Sequence, residues 1–346
     1  MALGILVHTA GSTYRKPGAL LLIAGNGEYA GLLSGGCLEG DLRERARAVI
    51  ETGRASLVTY DLRNSDDLVW GLGLGCEGAM HILLLPLGPQ EEWQPLNHLA
   101  AALATHSPTA IGVVTESGDA SIPAGALVLP QGQDEVPLTL PRSLSAAARA
   151  SLLEPYVLEA LAAAPRSGVD SLAGQDARWR LLLLPLALPP RVLLLGAGPD
   201  ALPVVDFAAR LDWRVTLVDH RPAYAAPSHF PLAERVVLAR PEELAQALDL
   251  SGFTAAVVMS HHLPSDAEYL RALSVSSVPY IGLLGPPPRR EKLLAELGQE
   301  SQRLRPRLRA PVGFNLGGRT PESIALAIVA EIQAFLHGMQ HTRDGR

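Results

Sequence analysis

The chain has 346 residues, enough for two domains of ordinary size, and its 48% hydrophobic and 18% charged residues are the balance of a packed globular protein, not a disordered one. A net charge of −6 argues against nucleic acid as the main partner, because phosphate contacts need a basic surface. Two cysteines are too few for a disulfide scaffold and read as free thiols of a reducing, cytoplasmic compartment, and Met1–Ala10 lacks the charged start and cleavage site of a signal peptide.

In chain order, Gly4–Thr9 and Ala19–Ala24 are predicted strands around the turn Gly11-Ser-Thr-Tyr-Arg-Lys-Pro-Gly18. Leu38, Leu42, Ala46, Val49 and Ile50 recur at helical spacing and predict a helix over Leu38–Thr52. Further strands are expected at Ser56–Tyr60 and Met80–Pro86. Ile5-Leu-Val-His-Thr followed by Pro17-Gly-Ala-Leu-Leu-Leu22 resembles Ile111-Gly-Val-Val-Thr followed by Pro123-Ala-Gly-Ala-Leu-Val128, which suggests an internal repeat. The most apolar stretch, Trp179–Leu195, is cut by Pro185, Pro189, Pro190 and Arg191, so it predicts two buried strands and a linker instead of a membrane span. That linker, Ala187-Leu-Pro-Pro190, divides the chain into domains at 1–187 and 190–346.

Beyond it, apolar strand runs alternate with amphipathic helices. Strands are expected at Val192–Leu195, Val215–Val218, Arg235–Leu238, Ala255–Met259 and Pro279–Leu284. Helices are expected at Asp200–Leu211, Pro241–Leu248, Ser265–Leu273, Pro288–Leu297 and Pro321–Phe335, the last opened by Thr320 as N-cap and Pro321 at the first helical position. The fold class is therefore α/β: an N-terminal α+β domain followed by a C-terminal Rossmann-like, doubly wound parallel sheet. Gly196-Ala-Gly198-Pro-Asp-Ala201 follows a strand and opens a helix, and Asp219 ends the next strand where a carboxylate would accept from a ribose hydroxyl. This fingerprint fits NAD(P) or another nucleotide, with phosphates on the backbone amides of the helix start, but the same fold also occurs without a nucleotide. The alternating Arg303, Arg305, Arg307 and Arg309 read as a solvated strand or loop edge.

The sharpest feature of the first domain is Ser34-Gly35-Gly36-Cys37-Leu-Glu39-Gly-Asp41. Two glycines free the backbone to turn and present amides, and a cysteine at a helix start is favoured as thiolate. A thiolate ligates soft metals, attacks electrophiles or carries persulfide sulfur. The second cysteine lies in Gly71-Leu-Gly-Leu-Gly75-Cys76-Glu-Gly78, a loop able to cradle an anion, although Cys76 also reads as a small buried hydrophobe.

With these loops in place the sequence resembles the XdhC/CoxI family, accessory proteins of xanthine dehydrogenase and related molybdenum hydroxylases. The stretches that carry the resemblance are Gly11–Ala19, Ser34–Glu39, Gly71–Cys76, the glycine loop at Gly196, Tyr280–Gly285 and Gly317–Glu322. Pro199 stands where the family often has histidine, Glu77 where it often has glycine and Asn315 where aspartate is common. The resemblance implies a protein that binds the molybdenum cofactor, supports its sulfuration with a cysteine desulfurase and delivers it to a xanthine dehydrogenase-type hydroxylase. It implies cofactor contacts from Ser34, Gly35, Gly36, Cys37, Glu39, Gly75, Cys76 and Arg15, with the Cys37 thiol beside the molybdenum or its sulfur. Nucleotide contacts would come from Gly196, Gly198 and Asp219. Two other functions fit parts of the sequence: an NAD(P)-dependent oxidoreductase using the second domain, and a persulfide carrier acting through Cys37. A homodimer would cover exposed strand edges of the first domain.

Overall fold

The computed structural model describes residues 1–36, 38–61, 78–130, 138–139, 144, 146–152, 154–167, 169–174 and 178–338. Cys37, Gly75 and Cys76 lie outside the described residues. The chain divides into two units, Met1–Leu188 and Pro189–Arg346. No helix among the described residues is long and apolar enough to cross a membrane.

The first unit starts with strands β1 (Ala2–Gly11), β2 (Leu20–Ile23) and β3 (Tyr29–Gly31), helix α1 (Glu39–Thr52), and strands β4 (Ser56–Asp61) and β5 (Gly78–Pro86). After helix α2 (Leu96–Thr105) the pattern returns: β6 (Ala110–Ser117), β7 (Leu127–Pro130), β8 (Leu138–Thr139), helices α3 (Ala146–Leu152) and α4 (Pro155–Ser167), then β9 (Asp170–Ala173) and β10 (Trp179–Pro185). Among the described residues these strands form two five-stranded antiparallel sheets, ordered β3-β2-β1-β5-β4 and β8-β7-β6-β10-β9. The two orders are the same order, so the unit is a structural duplication.

The register fixes how the copies correspond. Gly4 pairs Leu21 and Leu84, while Gly112 pairs Val128 and Leu183. Gly18 donates to the Leu6 carbonyl at 2.8 Å, and Gly125 donates to that of Val114 at 2.7 Å. Ile5 thus corresponds to Val113, not to Ile111, and Leu21, not Leu22, corresponds to Val128, so the alignment suggested by the sequence is two residues out in the first strand and one in the second. Alternating apolar residues on both strands made the shifted alignment look equally good. Even the β-bulge is duplicated: the β1·β5 register breaks between Leu6 and His8, and the β6·β10 register breaks at the equivalent step, between Val114 and Glu116.

Because side chains alternate across a strand, each sheet has two apolar faces to cover. Leu3, Ile5 and Leu83 of the first sheet meet Ile111, Val113 and Leu182 of the second in one core. The outer faces are covered by helices. Leu42, Ala46 and Val49 of α1 pack on Leu6, Ile82 and Leu84, and Val157, Leu161 and Ala164 of α4 pack on Val114, Leu181 and Leu183. Each fully buried leucine contributes about 2 kcal/mol. Helix α1 ends because Gly53 takes φ 63° and returns its amide to the Val49 carbonyl.

The second unit contains β11 (Arg191–Leu195), α5 (Leu202–Ala209), β12 (Arg214–Asp219), β13 (Arg235–Leu238), α6 (Leu244–Ala247) and β14 (Ala255–Val258). It continues with α7 (Leu263–Ser274), β15 (Ile281–Leu283), α8 (Pro287–Leu297), α9 (Ser301–Leu304), β16 (Leu308–Arg309) and α10 (Pro321–Leu336). The six strands run parallel in the order β13-β12-β11-β14-β15-β16. Both faces are covered, which is why these strands read as unbroken apolar runs. Val192 and Leu194 face α5 and α10 through Val205, Ile328 and Ile332, while Leu193 and Leu195 face α7 and α8 through Leu270, Leu273 and Leu293. The order reverses between β11 and β14, so the loops leaving those two strands open a crevice.

Two expectations are corrected here. The first helix of this unit is Leu202–Ala209, preceded by a 3-10 turn at Pro199–Ala201, because Pro203 has no amide to return to the Pro199 carbonyl, which the Leu202 amide takes instead. The arginine run is not merely a solvated edge: Leu308 and Arg309 form β16, and Arg307 donates to the carbonyls of Leu273, Ser274, Ser276 and Val278 at the end of α7.

Candidate functional site

In the first unit, three of the sequence motifs meet. Strand β1 ends at Gly11, with φ 72°, and the Ser12–Pro17 turn leads back to β2. Gly78, the first residue after the Cys76 loop to be described, pairs with Gly11 across β1·β5. A Cβ on Gly78 would lie 2.4 Å from the Ser12 carbonyl oxygen and 2.6 Å from Thr13 Cγ2, so only glycine fits. On the other side of the same turn, the Tyr14 ring lies over Gly35, 3.7 Å from where its Cβ would be. Tyr14 is 62% exposed, so the ring offers a flat apolar surface to solvent beside the Gly35-Gly36 backbone.

Gly35 and Gly36 take φ values of 76° and 108°, a pair of conformations other residues avoid. The space around Gly36 is open, so it is the backbone path that demands glycine there. The turn is clamped from inside by Glu39. Its carboxylate is 2% exposed and accepts from the amides of Leu33 (3.1 Å) and Ser34 (3.0 Å) and from Ser34 Oγ (2.5 Å). Ser34 Oγ in turn accepts from the Leu38 amide at 2.9 Å, just ahead of α1. Burial alone would push the Glu39 carboxyl up. The hydrogen bonds from Ser34 and Leu33 outweigh it and hold the pKa below the ordinary glutamate range.

Asp41, two residues on in the same first turn, accepts from Arg45 Nε at 2.6 Å and from the Tyr60 hydroxyl. Burial, then the bond to Asp41, push the Tyr60 phenol well above its ordinary value, so it stays a donor. Both acidic residues of the first turn are therefore committed to protein partners. Gly35 and Gly36 are exposed, and their amides donate to no described residue. Of the residues expected from sequence, Ser34, Gly35, Gly36 and Glu39 form this turn, and Arg15 is exposed on the adjoining one, next to Tyr14. Tyr14 and the Asp41–Tyr60–Arg45 group were not expected. An aromatic residue inside a polar, glycine-bounded turn is the signal that points to Tyr14.

In the second unit, Gly196, Gly198 and Asp219 lie together. Gly196 has φ 123°, and a Cβ there would be 2.6 Å from the Met259 carbonyl oxygen, so glycine lets the loops after β11 and β14 touch. Asp219 is 1% exposed and fully engaged. One oxygen accepts from the Arg221 amide and Nε (2.9 Å each), and the other from the Ala197 amide (2.9 Å) and Arg221 Nη2 (2.8 Å). Burial raises its carboxyl pKa, and these donors, Arg221 first, overcome that and lower it. Asp219 thus ties the glycine loop to β12 and has no lone pair to spare for a ribose hydroxyl.

The fold and the glycine turns define a two-unit α/β protein with a duplicated antiparallel first unit and a Rossmann-like second unit. Residues 1–61 match the XdhC and CoxI family, and residues 192–332 match the XdhC Rossmann domain. The chain is 32% identical over 336 residues to a Bacillus subtilis (strain 168) protein named as a probable subunit of xanthine dehydrogenase, covering 95% of this chain and 91% of that one. It therefore belongs to the XdhC and CoxI family. A crystal structure from Bacillus halodurans, described as a xanthine dehydrogenase, superposes with a TM-score of 0.79 at 25% identity over 99% of this chain and 93% of that one. A shorter likeness, 29% over 146 residues, links 41% of the chain to 27% of the Escherichia coli (strain K12) protein YqeB.

Proposed function

We propose that this protein is an accessory factor that binds the molybdenum cofactor as cargo, supports its sulfuration and passes it to a xanthine dehydrogenase-type hydroxylase. The observation that carries this reading is the end-to-end similarity to a chain named as part of a xanthine dehydrogenase. The geometry of the first unit supports it. A cargo with a phosphate tail and a flat pterin needs backbone donors and an apolar surface, and the Gly35 and Gly36 amides and the Tyr14 ring are of those kinds. In this reading Gly35, Gly36 and Arg15 take the phosphate, Tyr14 takes the ring system, and Ser34 and Glu39 hold the turn. Cys37, which follows Gly36 in the chain, supplies a thiol for the metal or its sulfur, and Gly75 and Cys76 are further contacts for the same cargo. The cargo itself brings a dithiolene-bound molybdenum and the sulfur it is to carry. A cysteine desulfurase is the partner that supplies the sulfur, and the site of action is the cytoplasm.

The oxidoreductase alternative is weaker on geometry, since Asp219 is spent on the loop it would serve. The test is to incubate the protein with molybdenum cofactor, desalt it, and measure bound molybdenum by mass spectrometry and pterin by fluorescence after oxidation. The wild type should retain both in equal amounts, and Cys37→Ala should retain less. No retention by the wild type overturns the reading. Full retention by Cys37→Ala overturns the role given to that thiol.

A further inference from the structure

The crevice of the second unit is a cavity of about 450 Å³, within the range of small-molecule sites. Its walls are apolar where Met259, Leu284, Ile324 and Ile328 line it, and the charged residues Arg289, Arg319 and Asp200 line it as well. The Oδ1 of Asp200 would lie 2.7 Å from a Cβ on Gly198. The carboxylate thus sits over the glycine that a dinucleotide pyrophosphate must approach. His261 Nε2 bonds the other Asp200 oxygen at 2.7 Å, and His261 holds a left-handed φ of 60° to do so. Of the loop's amides, that of Ala197 is spent on Asp219, that of Gly196 on the Val218 carbonyl, and Pro199 has none.

The cations are placed differently. Arg289 is fixed by the fully buried Asp266, through Nη2 at 2.6 Å and Nε at 3.2 Å, which leaves its Nη1 edge uncommitted by that pair. Arg319 makes no hydrogen bond or ion pair with a described residue. Arg319 is exposed, on backbone held at both neighbours: a Cβ on Gly318 would be 2.3 Å from Ser323, and Thr320 caps the sixteen-residue α10 by accepting from the Ser323 amide. The start of that helix, where Pro321 lines the cavity, adds positive potential.

We propose that this cavity binds a phosphate monoester of a flat heterocycle, in the reverse sense to a dinucleotide. The phosphate lies on Arg319 and Arg289, the ring lies between the apolar walls, and a ring edge bearing N–H donors faces the Asp200 carboxylate. The site is independent of the cofactor-binding reading of the first unit, and its test uses neither molybdenum nor Cys37.

Isothermal titration calorimetry of the full chain with guanosine monophosphate and with inorganic phosphate measures it. Guanosine monophosphate should bind the wild type more tightly than inorganic phosphate, and more weakly as salt is raised. Arg319→Gln should weaken both roughly tenfold or more, because a charge-assisted hydrogen bond is removed, and Arg319→Lys should lose less. Asp200→Asn should weaken the nucleotide but not inorganic phosphate. Absence of binding of both probes to the wild type, or unchanged affinity in Arg319→Gln, overturns the proposal. Tighter nucleotide binding by Asp200→Asn also overturns it, since that places the phosphate on the glycine loop.

Discussion

Replacing Glu39 by alanine removes the acceptor on which the Gly35-Gly36 turn is built. Two buried amides, Leu33 and Ser34, and the Ser34 hydroxyl lose their partner. A buried donor left unsatisfied costs about 1–3 kcal/mol, and the hydroxyl can rotate, so the sum is about 3–5 kcal/mol. Glu39→Gln keeps one carbonyl oxygen for the two amides and should cost only about 1 kcal/mol. For a unit of this size each kcal/mol lowers the melting temperature by about 2–4 °C, so the alanine variant should melt roughly 10 °C lower and the glutamine variant only a few degrees lower. Urea and thermal unfolding followed by circular dichroism measure both. Equal losses for the two variants, or a loss below about 1 kcal/mol for alanine, would refute the view that hydrogen bonding to the carboxylate sets this turn.

The charge of Glu39 adds a pH dependence. Its folded pKa lies below its unfolded value, so its stabilisation is fully present above the ordinary glutamate range and is lost as the pH falls through the folded value. The advantage of wild type over Glu39→Gln in urea titrations should therefore shrink from about pH 4 downward. In the second unit, Asp219→Asn turns one acceptor oxygen into a donor that faces donors already in place, so it should cost about 2–4 kcal/mol. Hydrogen exchange of the Ala197 and Arg221 amides should accelerate in that variant, and unchanged protection would remove Asp219 from the loop's support.

The parallel sheet was the most legible part of the sequence. Its strands are buried on both faces, so Val192–Leu195 and Ala255–Met259 stand out as apolar runs, and Thr320-Pro321 marks the start of α10 through a cap that is local in sequence. The first unit was less legible because its strands are short and its partners distant. Strand β3 is exposed at all three residues and carries no apolar pattern, and helices α2 and α4 were missed behind proline-bearing segments. At the site, the glycines announced themselves because their φ values exclude other residues. The direction of Glu39 did not: a carboxylate in a first helical turn reads as a partner of the dipole, and only the folded chain shows it turned inward to Ser34. The same holds for Arg307, whose carbonyl partners lie some thirty residues earlier in the chain.

The duplicated bulge makes the first unit a comparison of two outcomes on one scaffold. At the bulge one copy sets His8 against His81, with ring centroids 5.3 Å apart, where the other sets Glu116 against Arg180 at 3.6 Å. The copy with the histidines carries the Ser-Gly-Gly-Cys turn, and its twin does not. A gene doubling of this kind lets one half keep the packing while the other acquires a specialised loop, and the unmodified half serves as a built-in reference for what the specialisation added.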